Sequence, residues 1–458
     1  MSFPRYPEYK DSGVQWLGEV PEHWQLARIR SFTRFCGGGT PSRENPNYWN
    51  GDIPWVSPKD MKVERIAGAE EYVTEDGLAA STSSMIDEGS LLIVVRSGIL
   101  KHTIPVAIND RPVALNQDMK ALRFAKGSAT SDFFLRWVQG LNDLLLLAWA
   151  KQGATVESIE HSYLAETIVP LPLPAEQDAI TAFLDRETAK IDTLIAEQEK
   201  LLALLAEKRQ ATISHAVTRG LDPNAPMKDS GIPWLGEVPA HWDVTRFKQA
   251  ALSIEQGWSP QCENFPVEEP EEWGVLKVGC VNGGAFDAKE NKKLPPEFTP
   301  LSEYALKAGD LLISRANTKE LVGSAAVVPF DFDRLLLCDK LYRLRLALDV
   351  CLPNYAAAVL GTREARSQVE IAATGASSSM LNIGQSVVLN LPLPLPAVDE
   401  QRAIIDFLQV ETGRLHTLSN GALRAIALLK ERRSALIAAA VTGKIDVRGE
   451  VPIEEQAA

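Results

Sequence analysis

Along two stretches of the chain, apolar residues return every three, four or seven positions. Leu184, Ile191, Leu194, Leu201 and Leu205 form one stripe, and Leu408, Leu415, Leu418, Ala422, Ala425 and Leu429 form the other. This spacing predicts amphipathic helices. Each follows a proline-rich lead, Leu171 to Pro174 or Leu391 to Pro396, which cannot itself continue into a helix, and each ends at a glycine, Gly220 or Gly443. At 1.5 Å per residue each would reach roughly 55 to 60 Å, a length that needs a partner. Either the two helices pack on each other as a coiled coil, or each packs on its own globule. The first is the simpler, because it buries both stripes at once.

Elsewhere the pattern changes. Short apolar runs bounded by Gly, Pro, Asn and Asp predict buried strands at Leu91–Val95, Gly274–Gly279 and Leu311–Ile313. The expected fold class is therefore mixed α+β, with strand-rich globules and two long helices.

The chain also repeats itself. Lys10 to Trp24 reads KDSGVQWLGEVPEHW and Lys228 to Trp242 reads KDSGIPWLGEVPAHW, identical at 12 of 15 positions. Glu176 to Asp222 aligns without a gap to Glu400 to Asp446, matching Glu176-Gln177 with Glu400-Gln401 and Val217-Thr218 with Val441-Thr442. The middles, 25–170 and 243–390, match only weakly. A duplication of this kind suggests an approximate two-fold axis, with the helices antiparallel and a globule at each end. Trp16, Trp24, Trp234 and Trp242, alike in both halves, are expected to pack rather than bind a ligand.

Composition narrows the function. With 458 residues the chain can hold two or three cores. No run approaches the ~20 apolar residues of a membrane span, and the first residues lack a signal-peptide pattern, so a cytoplasmic protein with no membrane partner is expected. Cys36, Cys262, Cys280, Cys338 and Cys351 are scattered without a C-x-x-C pair, and the six histidines lack ligand spacing, so neither a disulfide framework nor a metal site is expected. The net charge of -13 opposes nucleic-acid binding unless basic residues gather on one face or partners supply phosphate contacts.

Enzymatic motifs fail on inspection. Asn45-Pro46-Asn47-Tyr48 departs from the Asn-Pro-Pro-Tyr of amino-methyltransferases at its third residue, and no glycine-rich cofactor loop accompanies it. Gly37-Gly38-Gly39-Thr40 has no strand-to-helix setting, and Gly443-Lys444 lacks the rest of a phosphate loop. No catalytic residue and no cofactor is expected in this chain.

The middles share one faint plan: Gly89-Ser90-Leu91-Leu92-Ile93 leads to Arg96-Ser97, and Gly309-Asp310-Leu311-Leu312-Ile313 to Arg315-Ala316-Asn317. In both, a buried strand delivers an arginine to a polar loop, where it could meet guanine edges or a phosphate. Asn116, Gln117 and Lys120 face Lys340 in the second copy; Lys59 sits on a proline-marked loop, Lys319 extends the second arginine loop, and Lys277, within the run Gly274–Gly279, is a further candidate. Asn and Gln suit adenine edges, and lysines suit phosphates, though both also serve as ordinary turn and surface residues.

Taken together, the repeated Lys-Asp-Ser-Gly and Trp-Leu-Gly-Glu-Val-Pro-x-His-Trp segments, Gly39-Thr40-Pro41-Ser42 followed by Gly51 to Met61, and Pro-Leu-Pro with Glu-Gln before each helix resemble the specificity subunit of type I restriction-modification enzymes. The resemblance implies a repeat segment at 1–24, a target-recognition domain at 25–170, a spacer helix at 171–222, a second repeat segment and linker at 223–242, a second target-recognition domain at 243–390, a second spacer helix at 391–446 and a flexible tail at 447–458. It further implies that the chain reads a split site on double-stranded DNA and binds two modification (methyltransferase) subunits and, in a restricting system, two restriction subunits. S-adenosylmethionine, ATP and Mg would belong to those partners, making the holoenzyme an adenine methyltransferase and ATP-dependent endonuclease. The competing reading is a coiled-coil protein scaffold without DNA binding, which the negative charge favours and the paired arginine loops oppose.

Overall fold

A computed structural model describes residues 3–450 apart from 152, 154, 378 and 379. It divides into two compact units, Met1–Gln198 with Arg424–Ala458, and Glu199–Leu423. Each unit thus takes part of both long helices.

In the first unit the main sheet runs in the order Thr33–Gly37, Met119–Phe124, Leu91–Val94, Val106–Asn109, Arg65–Ile66. The first three junctions are antiparallel and the last is parallel. All four residues of Leu91–Val94 are buried, as expected for a central strand covered on both faces. Beside it a smaller sheet pairs Ala114–Leu115 in parallel with Trp49–Val56, which pairs antiparallel with Tyr72–Val73. The helix Ser131–Gly140 closes the core, its start capped by the Thr130 hydroxyl, which accepts from the Phe133 N–H.

The second unit repeats this plan. Its main sheet runs Ala251–Gln256, Leu341–Leu346, Leu311–Ser314, Ala325–Val327, and its smaller sheet sets Gly274–Leu276 parallel to Phe332–Leu336. The strand expected through Gly279 stops at Leu276, because the chain turns into a 3-10 segment from Val278.

A short strand runs into the first proline-rich lead and another makes up most of the second, which the sequence pattern does not announce. Ile168–Leu171 pairs with Gln25–Arg28, and Pro392–Leu395 pairs with Asp243–Arg246. Each is a two-stranded sheet, so a proline nitrogen need not serve a second neighbour.

The long helices span Pro174–Arg219 and Val398–Val441, 46 and 44 residues. Pro174 occupies the first helical position, where no N–H is required, so the first helix starts inside its lead. Gly220 and Gly443, at φ of +74° and +71°, end them as anticipated.

The covered stripe differs from the leucine stripe. Leu184, Thr188, Ile191, Ile195, Gln198, Leu202 and Leu205 are buried or half-buried, alternating by four and three. Leu408, Thr412, Leu415, Ser419, Ala422, Ile426 and Leu429 do the same in the second helix, position for position. Leu194, Leu201 and Leu418 are instead exposed, at 46%, 39% and 57%. Each lies one position before the stripe, about 100° around the helix, because the covered face keeps a strict 3-4 alternation through Thr188, Gln198 and Ser419. A reading that follows leucines alone steps off it.

Within the first unit the helices share one core. Ile180, Phe183 and Leu184 cluster with Ile437, Ala440 and Val441, and Arg433 Nε donates to Asp192 Oδ1 at 2.9 Å. Within the second, Ala216 and Val217 cluster with Ile404 and Leu408.

The repeated segments explain themselves in this setting. Trp24 and Trp242 are fully buried. The Trp24 indole N–H donates to Glu176 Oε1 at 3.1 Å, Tyr6 donates to the same oxygen at 2.8 Å, and His23 Nε2 lies 2.8 Å from Oε2. In the second unit Trp242 donates to Glu400 at 3.0 Å, and His241 lies 2.9 Å from it. The neighbouring glutamines tie the same helix starts to the globules. Gln177 accepts from the Thr130 N–H at 2.7 Å, and Gln401 accepts from the Leu352 N–H at 2.8 Å. The packing role expected of these tryptophans matches their burial.

The tail expected from 447 begins differently, for Val447 is buried in the first unit's core and Arg186 donates to the Glu450 carbonyl at 2.8 Å. Its remainder, 451–458, lies outside the described residues.

Candidate nucleic-acid interface

In the first unit the end of the buried strand Leu91–Val94 projects Arg96 into a loop, where its N–H donates to the Asp118 carbonyl at 3.3 Å and its Nε to Asp118 Oδ1 at 2.6 Å. Ser97 caps the 3-10 turn Gly98–Lys101. The parallel pairing of Ala114–Leu115 with Trp55-Val56 brings the turns that follow each strand to one sheet end. Lys59 is exposed on one turn and Gln117 on the other. The fold therefore gathers Lys59, Arg96, Ser97 and Gln117 on adjoining loops.

Asn116 and Lys120 stand apart. Asn116 is 6% exposed, and its side-chain oxygen accepts from the Asp118 N–H at 2.9 Å, so it builds the turn rather than facing outward. Lys120 lies in a strand, and burial holds its ammonium below the ordinary lysine range despite the opposing pull of Glu160.

The second unit places its candidates on the equivalent loops. Arg315 leaves the strand Leu311–Ser314; its N–H donates to the Lys340 carbonyl at 2.9 Å and its Nη1 to the Asp339 carbonyl at 3.2 Å. Lys340 and Lys319 are exposed. Asn317 accepts from the Thr318 N–H and reaches Asn282, while Lys277 is half-buried before the 3-10 segment that contains Asn282.

Two features escape the sequence reading. Arg43 lies 3.8 Å from the Trp49 ring and 5.2 Å from that of Trp55, and is paired through both guanidinium nitrogens with Glu71. That bond holds the Glu71 carboxyl below the usual carboxylate range. The signal was present as an arginine between aromatics. The second is a Gly-x-[Thr/Ser]-Pro sequence in both units, Gly38-Gly39-Thr40-Pro41 and Gly257-Trp258-Ser259-Pro260. In the first, the Gly39 N–H donates to the Leu115 carbonyl at 2.8 Å; in the second, the Trp258 N–H donates to Leu337 at 3.0 Å. A Cβ on Gly38 would lie 1.9 Å from the Asn116 carbonyl oxygen, and one on Gly257 2.1 Å from that of Leu337, so both loops need glycine for backbone contact. Gly38 is required by this close approach, and Gly39 by the Thr82 and Ser83 atoms that a Cβ there would meet within 3 Å.

Among the described residues no group of His, Cys, Asp and Glu is placed to hold a metal ion.

Residues 21–203 match the family described as type I restriction modification DNA specificity domain. The chain is 35% identical over 189 residues to the EcoR124I/EcoR124II specificity subunit of Escherichia coli, covering 41% of this chain and 43% of that subunit. It thus spans less than half the length of that relative. It is 28% identical over 391 residues to the MjaIX specificity subunit of Methanocaldococcus jannaschii, covering 78% and 82%. In fold it resembles a chain of a solved structure described as the structural basis of complex assembly and conformational transition of the type I R-M system, with a TM-score of 0.63 at 18% identity, over 92% of this chain and 98% of that one. The duplicated mixed fold, the repeated helix-start anchors and these matches together make the chain similar to the specificity subunits of type I restriction-modification enzymes.

Proposed function

We propose that the chain is the non-catalytic DNA-recognition subunit of a type I restriction-modification complex, each unit reading one half of a split site. The observation that carries this is the duplicated loop pair of Arg96 with Gln117 and Arg315 with Asp339. The same backbone scaffold presents different side chains in each unit. A protein that reads two unlike half-sites needs such an arrangement. The target-recognition regions are 25–170 and 243–390. Lys59, Ser97, Lys277, Asn317, Lys319 and Lys340 supply phosphate and polar contacts around the two arginines.

Two modification subunits complete the reading, and in a restricting system two restriction subunits join them, all in the cytoplasm. They hold S-adenosylmethionine, ATP and Mg, and they enclose much of the DNA, which reconciles recognition with a net charge of -13. The long helices pair as an antiparallel coiled coil around a pseudo-two-fold axis. Its seam includes Leu184, Ile191, Leu205, Leu408, Leu415 and Leu429, all on the covered stripes. Such a rod fixes both distance and rotational phase between half-sites, since DNA rises ~3.4 Å per base pair and its faces repeat every ~10.5 pairs.

The test is co-expression with the cognate modification subunit, followed by mapping of methylated adenines. The expected result is a split motif with a fixed gap, in which deleting either middle abolishes methylation. A four-residue insertion between Leu184 and Leu205 should change the permitted gap and leave both half-site sequences intact. Absence of any methylation dependent on this chain refutes the recognition role, and an unaltered gap refutes the ruler.

A further inference from the structure

The loop that follows Gly38 and Gly257 does one further thing in both units. The Thr40 hydroxyl donates to Gln117 Oε1, and the Ser259 hydroxyl donates to Asp339 Oδ1. Asp339 returns its own N–H to Ser259 Oγ at 3.3 Å. The hydroxyls sit at equivalent places, two residues beyond the invading glycine, and the clamped residues both follow the loop's backbone contact by two positions, after Leu115 and Leu337. Thr40 and Gln117 are exposed, as is Ser259, and Asp339 is half-exposed. A hydroxyl clamp on a surface side chain removes rotamers that the side chain would otherwise populate, which serves little purpose unless its outer atoms must point in one direction.

The geometry points to Gln117 and Asp339 as the base-discriminating residues of the two half-sites, Gln117 for adenine and Asp339 for cytosine. This rests on the DNA-recognition reading above and adds the residue and the base class to it. With Oε1 held by Thr40, the Gln117 amide keeps its two N–H donors and a second lone pair, the complement of adenine N7 and N6. Asp339 offers only acceptors, and its unclamped oxygen suits the N4 amine of cytosine. Thr40 and Ser259 are positioning residues. The clamp is the same in both units; the chemistry it holds is not.

The experiment uses the full chain with its modification subunit and reads the methylated motif. Gln117→Asp should replace adenine in one half-site and leave the other half unchanged; Asp339→Gln should do the converse. Thr40→Ala should keep the motif but reduce discrimination at that one base pair by about 5-fold to 150-fold, the range of a good base contact. If either exchange variant fails to assemble, Gln117→Glu, which keeps the side chain's shape, is compared with wild type in binding to duplexes varied at each position of the half-site. Loss of preference at one position supports the assignment. An unchanged motif with methylation intact, or unchanged preference in that binding panel, overturns it. Failure of the wild-type complex to methylate at all would strike the DNA-recognition reading itself, a separate outcome.

Discussion

Replacing Glu176 with alanine should destabilise the first unit far more than the matching change at Glu400 destabilises the second. Glu176 is 8% exposed and takes the Tyr6 hydroxyl, the Trp24 indole and His23. Its loss leaves the buried Trp24 N–H and Tyr6 hydroxyl without an acceptor. At ~1–3 kcal/mol for each stranded donor, and with the two sharing one oxygen so that their costs do not fully add, about 3–5 kcal/mol is expected. Glu400 has a side chain 30% exposed and, among the described residues, serves only Trp242 and His241. Water can reach that site and satisfy part of what is lost, so about 1–2 kcal/mol is expected there. Glu176→Gln keeps an acceptor for Trp24 and should fall between wild type and Glu176→Ala. Urea unfolding followed by tryptophan fluorescence, with far-ultraviolet circular dichroism as a second probe, measures the shifts in each transition. A loss for Glu400→Ala equal to or greater than that for Glu176→Ala would refute the argument from burial.

Two further outcomes follow from the same structure. Leu194→Glu, Leu201→Glu and Leu418→Glu lie off the covered stripe and should each change the stability of the isolated chain by less than about 0.5 kcal/mol, whereas Leu205→Glu and Leu415→Glu should cost several-fold more in the same urea titration. Burial pushes the thiols of Cys338 and Cys351 up to about 12 from an ordinary value of 9.0. The unfolded thiols therefore release protons above about pH 9 that the folded ones retain, so these residues lower stability as pH climbs from there toward 12. Cys338→Ala with Cys351→Ala should flatten that alkaline slope in thermal melts; an unchanged slope rejects it.

The architecture was legible wherever the fold repeats a local rule. Leu91–Val94 and Leu311–Ser314 are buried strands announced by apolar runs, and Gly220 and Gly443 stop helices in the left-handed conformation that favours glycine. The pattern misled where burial did not track hydrophobicity. Thr188, Gln198 and Ser419 hold covered positions while Leu194 and Leu418 face outward, so counting leucines gave the wrong phase for part of each stripe. The loops proposed to meet DNA were partly legible as structure. Arg96 and Arg315 stand out because a strand precedes them, and Gln117 because of its type. Asn116 could not be told from a base reader, since a turn-building and a base-reading asparagine look alike in sequence. Asp339 was invisible until the fold set it beside Ser259, which lies 80 residues away in the chain.

The polar composition of the covered stripes bears on how the proposed rod keeps its register. A seam of leucine alone would fit nearly as well after sliding by seven residues, and a slide of that size, about 10.5 Å, equals roughly three base pairs of DNA. Gln198, Thr188, Ser419 and Arg433 interrupt the apolar run, and the Arg433 guanidinium meets Asp192 through two nitrogens at 2.9 and 3.3 Å. Each contact contributes little to stability at a half-exposed site. Slid by a heptad, however, Arg433 would lose Asp192 and polar groups would face leucines. A function that depends on a fixed gap gains more from such contacts than from additional leucines, which is why the covered stripes need not be the most hydrophobic faces of their helices.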